Sequence, residues 1–200
     1  MTVRESRSSP YDRMGAPTDT ESSPSLNFLR RVGRGLLRLP RTWAWIPAAL
    51  WMGLIWALSS MGNADARLLR HTPGYWLDLA HAGAFGLLAL WFCLLLPRAG
   101  GWVSAGRLLR VVVVLAAAVY GAVDEWHQSM VPGRHPTVFD LFTDVTGASC
   151  VVWIVVYAGR AGSTERGLRR RLLTALVLCA LVAGLSTSYH TVRPEPLWFS

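Results

Sequence analysis

Five apolar stretches, each about 20 residues long, constrain the fold of this chain more than any other feature. A helix of about 20 residues is what the hydrocarbon core of a bilayer requires. The chain has 200 residues, of which 52% are hydrophobic, and its 10 tryptophans exceed what a small soluble domain usually carries. The sequence therefore predicts an all-α fold, a polytopic transmembrane bundle surrounded by membrane lipids. The predicted spans are Thr42–Ser60, Leu79–Leu96, Leu108–Trp126, Leu141–Ala158 and Leu172–Tyr189.

The basic residues orient these spans. All 20 are arginines, and the net charge is +8. Thirteen lie beside one set of predicted helix ends: Arg30, Arg31, Arg34, Arg38, Arg41, Arg98, Arg107, Arg110, Arg160, Arg166, Arg169, Arg170 and Arg171. Only four lie beside the other set: Arg67, Arg70, Arg134 and Arg193. The positive-inside rule therefore predicts a cytoplasmic N-terminus and an outward-facing Asp124–Arg134 segment. Because the arginines sit in short loops next to the membrane, we expect anionic lipid headgroups as their partners and no nucleic acid.

The segments outside the spans carry weaker patterns. Residues Met1–Ser25 are rich in Ser, Thr and Pro, which predicts a disordered tail. In Leu26–Leu39, apolar residues recur at helical spacing between arginines, which predicts an interfacial helix on the inner leaflet. Met61–Trp76 is expected to be an irregular outer loop, and Pro97–Gly106 a short inner loop. The cysteines lie inside predicted spans, where we assign them no chemistry and expect no disulfides.

The end of the third span carries an ordered set of polar side chains. Tyr120, Asp124 and His127 are spaced at i, i+4 and i+7 and share one helical face, with Gln128 beside Asp124. Glu125 points about 100° away and is free to face a different neighbour. The next four residues, Val131-Pro-Gly-Arg134, predict a tight turn that holds the arginine in a fixed direction.

Two neighbouring spans add ionisable residues near the same membrane face. Asp140 and Asp144 are spaced at i and i+4 at the start of the fourth span, where Asp140 could cap the helix. Asp78 and His81 form an i, i+3 pair near the outer end of the second span. The topology thus brings acids, histidines and an arginine from three helices toward one depth, and charged groups inside a membrane usually mark a function.

These residues divide into two candidate groups. The candidate catalytic residues are His81, Glu125, His127 and Asp144, and the candidate ligand-binding residues are Tyr120, Asp124, Gln128, Arg134 and Asp140. Each also has a structural explanation: Arg134 could pair with Asp124 or Glu125, His81 could bond between helices, and Asp140 could only cap. A single pair would satisfy Arg134 and leave the remaining carboxylates unpaired.

The chemistry stays open between several classes. Carboxylates and imidazoles are suitable metal ligands, but no His-Glu-x-x-His motif or cysteine pair is present, so the metal and cofactors are undetermined. Arg134 could instead hold a lipid-linked phosphate while Asp124, Glu125 or His127 transfers protons. The chain has no Walker loop, dinucleotide fingerprint or nucleophile elbow, which disfavours nucleotide and esterase chemistry.

Several of these motifs resemble the VanZ-like family of small bacterial membrane proteins, named for an accessory factor in teicoplanin resistance. The similarity lies in Glu125-Trp-His-Gln128, Pro132-Gly-Arg134, Asp140, Asp144 and Gly147, which match a family pattern of Glu-x-x-Gln, Pro-Gly-Arg, Asp, Asp or Asn, and Gly. His81 resembles the family's histidine in an earlier helix. The family often carries Lys three residues before that histidine, whereas this chain has Asp78. A role that requires a positive charge at this position is therefore not expected in this chain.

The resemblance implies an organisation and a location. Residues 1–40 would be a cytoplasmic tail with the arginine-rich helix, residues 41–160 the four-helix core, and residues 161–200 an additional helix with a short outer tail. It also implies a multi-pass protein of the bacterial inner membrane that binds or acts on a cell-envelope component, with a link to teicoplanin tolerance. A hydrolase or transferase acting on a lipid-linked phosphate is the alternative, and a proton-coupled transporter is a third. Whether the protein is an enzyme is left undecided by these residues.

Overall fold

The structure is a computed structural model that describes residues 24–61, 74–132, 134 and 137–192. Within these ranges a short 3₁₀ turn at Arg41–Trp43 precedes the second helix, and a two-stranded antiparallel hairpin joins the third helix to the fourth. The elements are α1 (Pro24–Leu36), α2 (Trp45–Ser59), α3 (Gly74–Leu94), β1 (Arg98–Ala99), β2 (Trp102–Val103), α4 (Arg107–Gln128), α5 (Val138–Ala158) and α6 (Glu165–Val192).

The all-α bundle predicted from the sequence is confirmed. Four stretches are long and apolar enough to cross a membrane: Arg41–Ser59, Gly74–Leu94, Val138–Ala158 and Glu165–Tyr189. The remaining long helix, α4, has 22 residues, and Asp124 and Glu125 near its end lower its apolar content. It still exposes Leu115, Val119 and Val123, four residues apart, on one outer face. Because such a stripe requires an apolar surrounding, α4 is consistent with a fifth span.

Some predicted boundaries were wrong. Pro24 and Ser25 belong to α1 and not to a disordered tail, whereas residues 1–23 lie outside the described residues. Residues 74–76 are helical and begin α3, although the sequence pattern placed them in the outer loop. Residues 62–73 of that loop also lie outside the described part of the chain.

The helices run alternately up and down, so the bundle has two distinct ends. We call the end formed by α1, the hairpin and the α5–α6 connection the arginine-rich end. There, Arg98 donates from Nη1 to the carbonyl oxygen of Leu37 (2.6 Å), and Arg30 donates from Nε to that of Ala158 (3.0 Å). These bonds satisfy carbonyls that helix ends leave without partners. We call the other end, where α4 ends and α5 begins, the acidic end.

The helix α1 is docked onto the arginine-rich end. Leu26 is buried in a cluster with Trp102, Tyr157, Ala158 and Leu168. Val32, on another face, is exposed. The helix predicted for Leu26–Leu39 is therefore present with shifted bounds, and it contacts the bundle along its length, through Leu26, Leu29 and Gly33, which lies against Trp102.

The hairpin between α3 and α4 was expected only as a loop. Gly100 and Gly101 have φ angles of 57° and 72°, as the two central residues of a type I′ turn require. The indole of Trp102 then donates to the carbonyl oxygen of Val155 at 2.9 Å. The hairpin thereby covers the arginine-rich end of α5.

The closest helix packing is between α3 and α5. A methyl group on Gly147 would overlap the carbonyl oxygen of Ala82, and one on Gly86 would lie 2.9 Å from Val151 Cγ2. Small residues at such positions let two helix backbones approach within a membrane. The α3–α5 crossing positions the polar residues of the acidic end, and α6 packs against both helices.

Candidate functional site

Three ionisable side chains from three helices meet inside the acidic end. His81 of α3, Glu125 of α4 and Asp144 of α5 each place one ligand atom within 4.8 Å of the other two. Within this group, His81 Nδ1 lies 3.4 Å from Asp144 Oδ1. We call these three residues the acidic cluster. Its members were all candidate catalytic residues in the sequence.

Small residues bring the three helices together at this point. Ala82, which follows His81, contacts Gly147, which lies one turn after Asp144. On α4, a methyl group on Gly121 would lie 3.1 Å from Asp144 Oδ2. Glu125 lies one turn further along the same face of α4. A larger residue at Gly121 or Gly147 would separate the helices that carry the cluster.

The cluster is buried, and its carboxylates lack hydrogen bonds. The side chain of Asp144 is 0% exposed and that of His81 27% exposed, and Glu125 is 7% exposed. In the part of the chain that the structure describes, neither oxygen of Glu125 or Asp144 has a hydrogen-bond partner. A buried polar group without a partner costs about 1–3 kcal/mol, and more when it is charged. A protonated imidazole at His81, 3.4 Å from Asp144 Oδ1, would pair with Asp144, whereas the Glu125 carboxylate needs a proton, a cation or a ligand group.

The adjacent face of α4 has a different role. Asp124 Oδ2 accepts hydrogen bonds from Ser59 Oγ and Gln128 Nε2, both at 2.8 Å. The His127 ring stacks on Trp56 with 3.8 Å between ring centroids. Asp124 and His127 therefore share one face of α4, as their spacing predicted. That face contacts α2 and points away from the acidic cluster.

Tyr120 belongs to the same face. Its hydroxyl donates to the carbonyl oxygen of Met52 at 2.6 Å. The contact ties α4 to the middle of α2. Tyr120 and Asp124 together keep one face of α4 in contact with α2. Glu125 lies about 100° around the helix from Asp124 and therefore faces α3 and α5.

Arg134 lies at the acidic end but outside the cluster. Its guanidinium donates to the carbonyl oxygens of Met61 (3.1 Å) and Leu58 (3.2 Å), at the end of α2. The amide of Arg134 donates to the carbonyl oxygen of Val131 at 3.1 Å, as the predicted turn requires. The only ion pair in which both partners are described residues is His81–Asp144, and neither Asp124 nor Glu125 is paired with Arg134 among those residues. The suggested pairing of Arg134 with Asp124 or Glu125 is therefore not present in that part of the chain.

Asp140 caps α5, as the sequence suggested. Its Oδ2 accepts from the backbone amide and the hydroxyl of Thr137, and together they form a capping box. Its Oδ1 accepts from Ser186 Oγ of α6 at 2.8 Å. Asp78 similarly accepts from Thr187 Oγ1 at 2.6 Å. Both acids thus fasten α6 to the bundle.

The sequence reasoning missed the hydroxyl partners of these acids. Ser59, Ser186 and Thr187 lie inside apolar spans, and each donates to a carboxylate of another helix. Hydroxyls in membrane helices commonly bond across helices, so their position was a usable signal. Which acid each would meet depends on helix packing.

The arrangement supports two kinds of chemistry. A carboxylate beside an imidazole nitrogen can orient the ring and stabilise its protonated form, which general acid–base catalysis requires. An imidazole with two carboxylates is also a donor set for a metal ion. Both uses need access from outside the bundle, and His81, with a side chain 27% exposed, is the most exposed member of the cluster.

Comparison with known proteins supports one family. The family model described as VanZ/LLP1 matches residues 14–159, a range that includes the whole acidic cluster. No curated protein and no solved structure gives a significant match.

Proposed function

The chain belongs to the VanZ/LLP1 family, and from this membership we propose that the acidic cluster binds or acts on a cell-envelope component at the outward face of the membrane. The observation that carries the proposal is the buried Glu125 carboxylate, which has no hydrogen-bond partner among the described residues, next to the His81–Asp144 ion pair. Ionisable groups within a membrane domain are costly, and those without structural partners are candidates for function.

The orientation rests on the arginines. Arg30, Arg98 and Arg160 lie at the arginine-rich end, and the positive-inside rule assigns such an end to the cytoplasm. The N-terminus would then be cytoplasmic, and the acidic cluster would open toward the outer face of a bacterial inner membrane. A substrate in that position would be an envelope component, and teicoplanin tolerance is the phenotype we propose to follow.

The side chains suggest distinct roles in that site. Asp144 orients the imidazole of His81, and His81, the most exposed of the three, is the group that an incoming ligand would meet first. Glu125 lies on α4, across from His81 of α3 and Asp144 of α5, and supplies a second carboxylate that can hold a proton or accept a hydrogen bond. Asp124, Tyr120, Gln128 and His127 support α4 against α2 and contribute indirectly.

The test is a teicoplanin-susceptibility assay in cells that express the protein. Glu125→Gln and Asp144→Asn preserve side-chain shape and remove the carboxylates, so both should shift susceptibility to that of cells without the protein. Thr146→Ala is the matched control, since Thr146 lies two residues from Asp144 and its hydroxyl donates to the carbonyl oxygen of Phe142 in its own helix. Immunoblots of membranes should show equal amounts of each variant. Full activity of both cluster variants would refute the proposal.

A hydrolase or transferase acting on a lipid-linked phosphate is the second candidate function. The observation that favours it is the 3.4 Å approach of Asp144 to His81, which suits proton transfer to or from a reacting oxygen. Arg134 was the expected phosphate ligand, but its guanidinium bonds to the end of α2. A purified protein that releases no phosphate from a polyprenyl diphosphate, with its fold intact, would remove this candidate.

A further inference from the structure

We propose that the acidic cluster is a binding site for one divalent first-row transition-metal ion, with His81 Nδ1, a Glu125 oxygen and an Asp144 oxygen as ligands. The inference deepens the proposed function, on which its role in activity rests, because it uses the same three side chains. Metal binding itself can be measured without knowing the substrate.

The distances fit such an ion. Ligand atoms about 2.1 Å from a tetrahedral Zn²⁺ lie roughly 3.4 Å apart. His81 Nδ1 and Asp144 Oδ1 are already at 3.4 Å. All three ligand atoms lie within 4.8 Å of one another, so rotation of the Glu125 side chain can close the remaining gap.

The absence of hydrogen bonds is the second, independent indication. His81 Nδ1, both oxygens of Glu125 and both oxygens of Asp144 have no hydrogen-bond partner among the described residues. Elsewhere at this end, Asp124 receives two hydrogen bonds from side chains and Asp140 receives three from side chains and backbone. Asp124 Oδ1 and His127 Nδ1 also lack a partner there, but among the described acids only Glu125 and Asp144 have two oxygens that accept no hydrogen bond. A divalent cation would neutralise both carboxylates at once.

The donor set selects the class of metal. Mg²⁺ and Ca²⁺ prefer oxygen ligands alone, whereas an imidazole nitrogen suits Zn²⁺ and its transition-metal neighbours. Three protein ligands leave a coordination position open for water or a substrate group, as in catalytic zinc sites. His81, 27% exposed, marks the edge from which that position is reached.

The test uses the full chain in detergent, with any affinity tag removed. After treatment with EDTA, Zn²⁺ is titrated against a competing fluorescent chelator, and bound zinc is counted by mass spectrometry after gel filtration. We expect about one zinc per chain and no displacement by excess Mg²⁺. Glu125→Gln and Asp144→Asn should each weaken binding at least about 10-fold, since even changes outside the ligand set cost 10–100-fold.

Asp124→Asn is the matched control. Asp124 is also buried and adjacent to Glu125, and an amide oxygen can still accept the bonds from Ser59 and Gln128. It should bind zinc as the unchanged protein does. Absence of zinc from the unchanged protein, or equal binding by Glu125→Gln and Asp124→Asn, would overturn the inference.

The two proposals fail in different ways. If zinc does not bind but the cluster variants still lose their effect on teicoplanin susceptibility, the metal inference fails and the proposed function stands. If zinc binds and the variants keep full activity in cells, the site is real and the proposed function fails.

Discussion

Asp124 and Glu125 are adjacent in sequence, and the structure predicts opposite effects on stability when each is made apolar. Asp124→Leu keeps the branched shape of the side chain but removes the acceptor for Ser59 and Gln128. Glu125→Met keeps a long unbranched chain and removes two oxygens that have no hydrogen-bond partner among the described residues. We expect the first change to destabilise the protein and the second to stabilise it.

The magnitudes follow from the hydrogen bonds. Side-chain bonds in membrane proteins contribute about 0.6 kcal/mol on average and up to ~1.7 kcal/mol, so losing two at Asp124 should cost about 1–3 kcal/mol. Removing the buried, unpartnered carboxyl of Glu125 should recover about 1–3 kcal/mol. Leu has a higher helix propensity than Asp, which opposes the predicted loss and makes the sign of the result more informative.

The assay is the free energy of unfolding in mixed micelles, obtained by titration with a denaturing detergent in the presence of EDTA. Chelation matters because a bound ion would stabilise the folded state of the unchanged protein and hide the cost of Glu125. A Glu125→Met variant that is less stable than the unchanged protein under chelation would refute the reasoning. So would a shift of the same sign in both variants.

Three further predictions concern helix packing, the Arg134 contact and topology. Gly147→Ala should lower the free energy of unfolding by about 1–3 kcal/mol, because the added methyl group would overlap Ala82. Gly83→Ala, where nothing lies within 4 Å, should leave it unchanged, and the same detergent titration measures both variants. Arg134→Ala should lower the melting temperature by removing the side-chain donor to the carbonyls of Met61 and Leu58, of which that of Leu58 keeps only its backbone bonds. Arg134→Lys should recover part of this loss, and an unchanged melting temperature in Arg134→Ala would contradict the role. With the native cysteines replaced, a membrane-impermeant thiol reagent added to intact cells should modify Gly133→Cys and not Ser104→Cys, and the reverse pattern would invert the proposed orientation.

Much of the bundle could be predicted because membrane insertion acts on local composition. Apolar length identified the four helices that are long and apolar enough to cross a membrane, and helical spacing correctly placed Asp124 beside Gln128. The hairpin was missed because each strand has only two residues, too few for an alternating pattern. The start of α3 was also placed too late, since Pro73-Gly74 reads as a turn and yet the helix begins at Gly74.

The candidate site could be predicted only in part, because the sequence gives a residue's own helical face but not the helix opposite it. His81, Glu125 and Asp144 were candidates, but so were His127 and Arg134, which contact α2 instead. Distinguishing these groups required knowing which face of α4 meets α2 and which face meets α3 and α5. That arrangement depends on how the helices pack, and the spacing of residues within one helix does not reveal it.

Gly147 shows how packing and chemistry are joined in this protein. It has no side chain to bind a ligand, yet it lies one turn from Asp144, and its contact with Ala82 sets the separation of α3 and α5. Ala82 follows His81, so the same contact sets the 3.4 Å approach of His81 to Asp144. A shift of about 1 Å between these helices would be a large fraction of a metal–ligand bond, which is about 2.1 Å long. A glycine at this crossing is therefore as much a determinant of the cluster's geometry as the acids are, and a Gly147→Ala chain that still folds should bind zinc more weakly than Gly83→Ala although every proposed ligand is present.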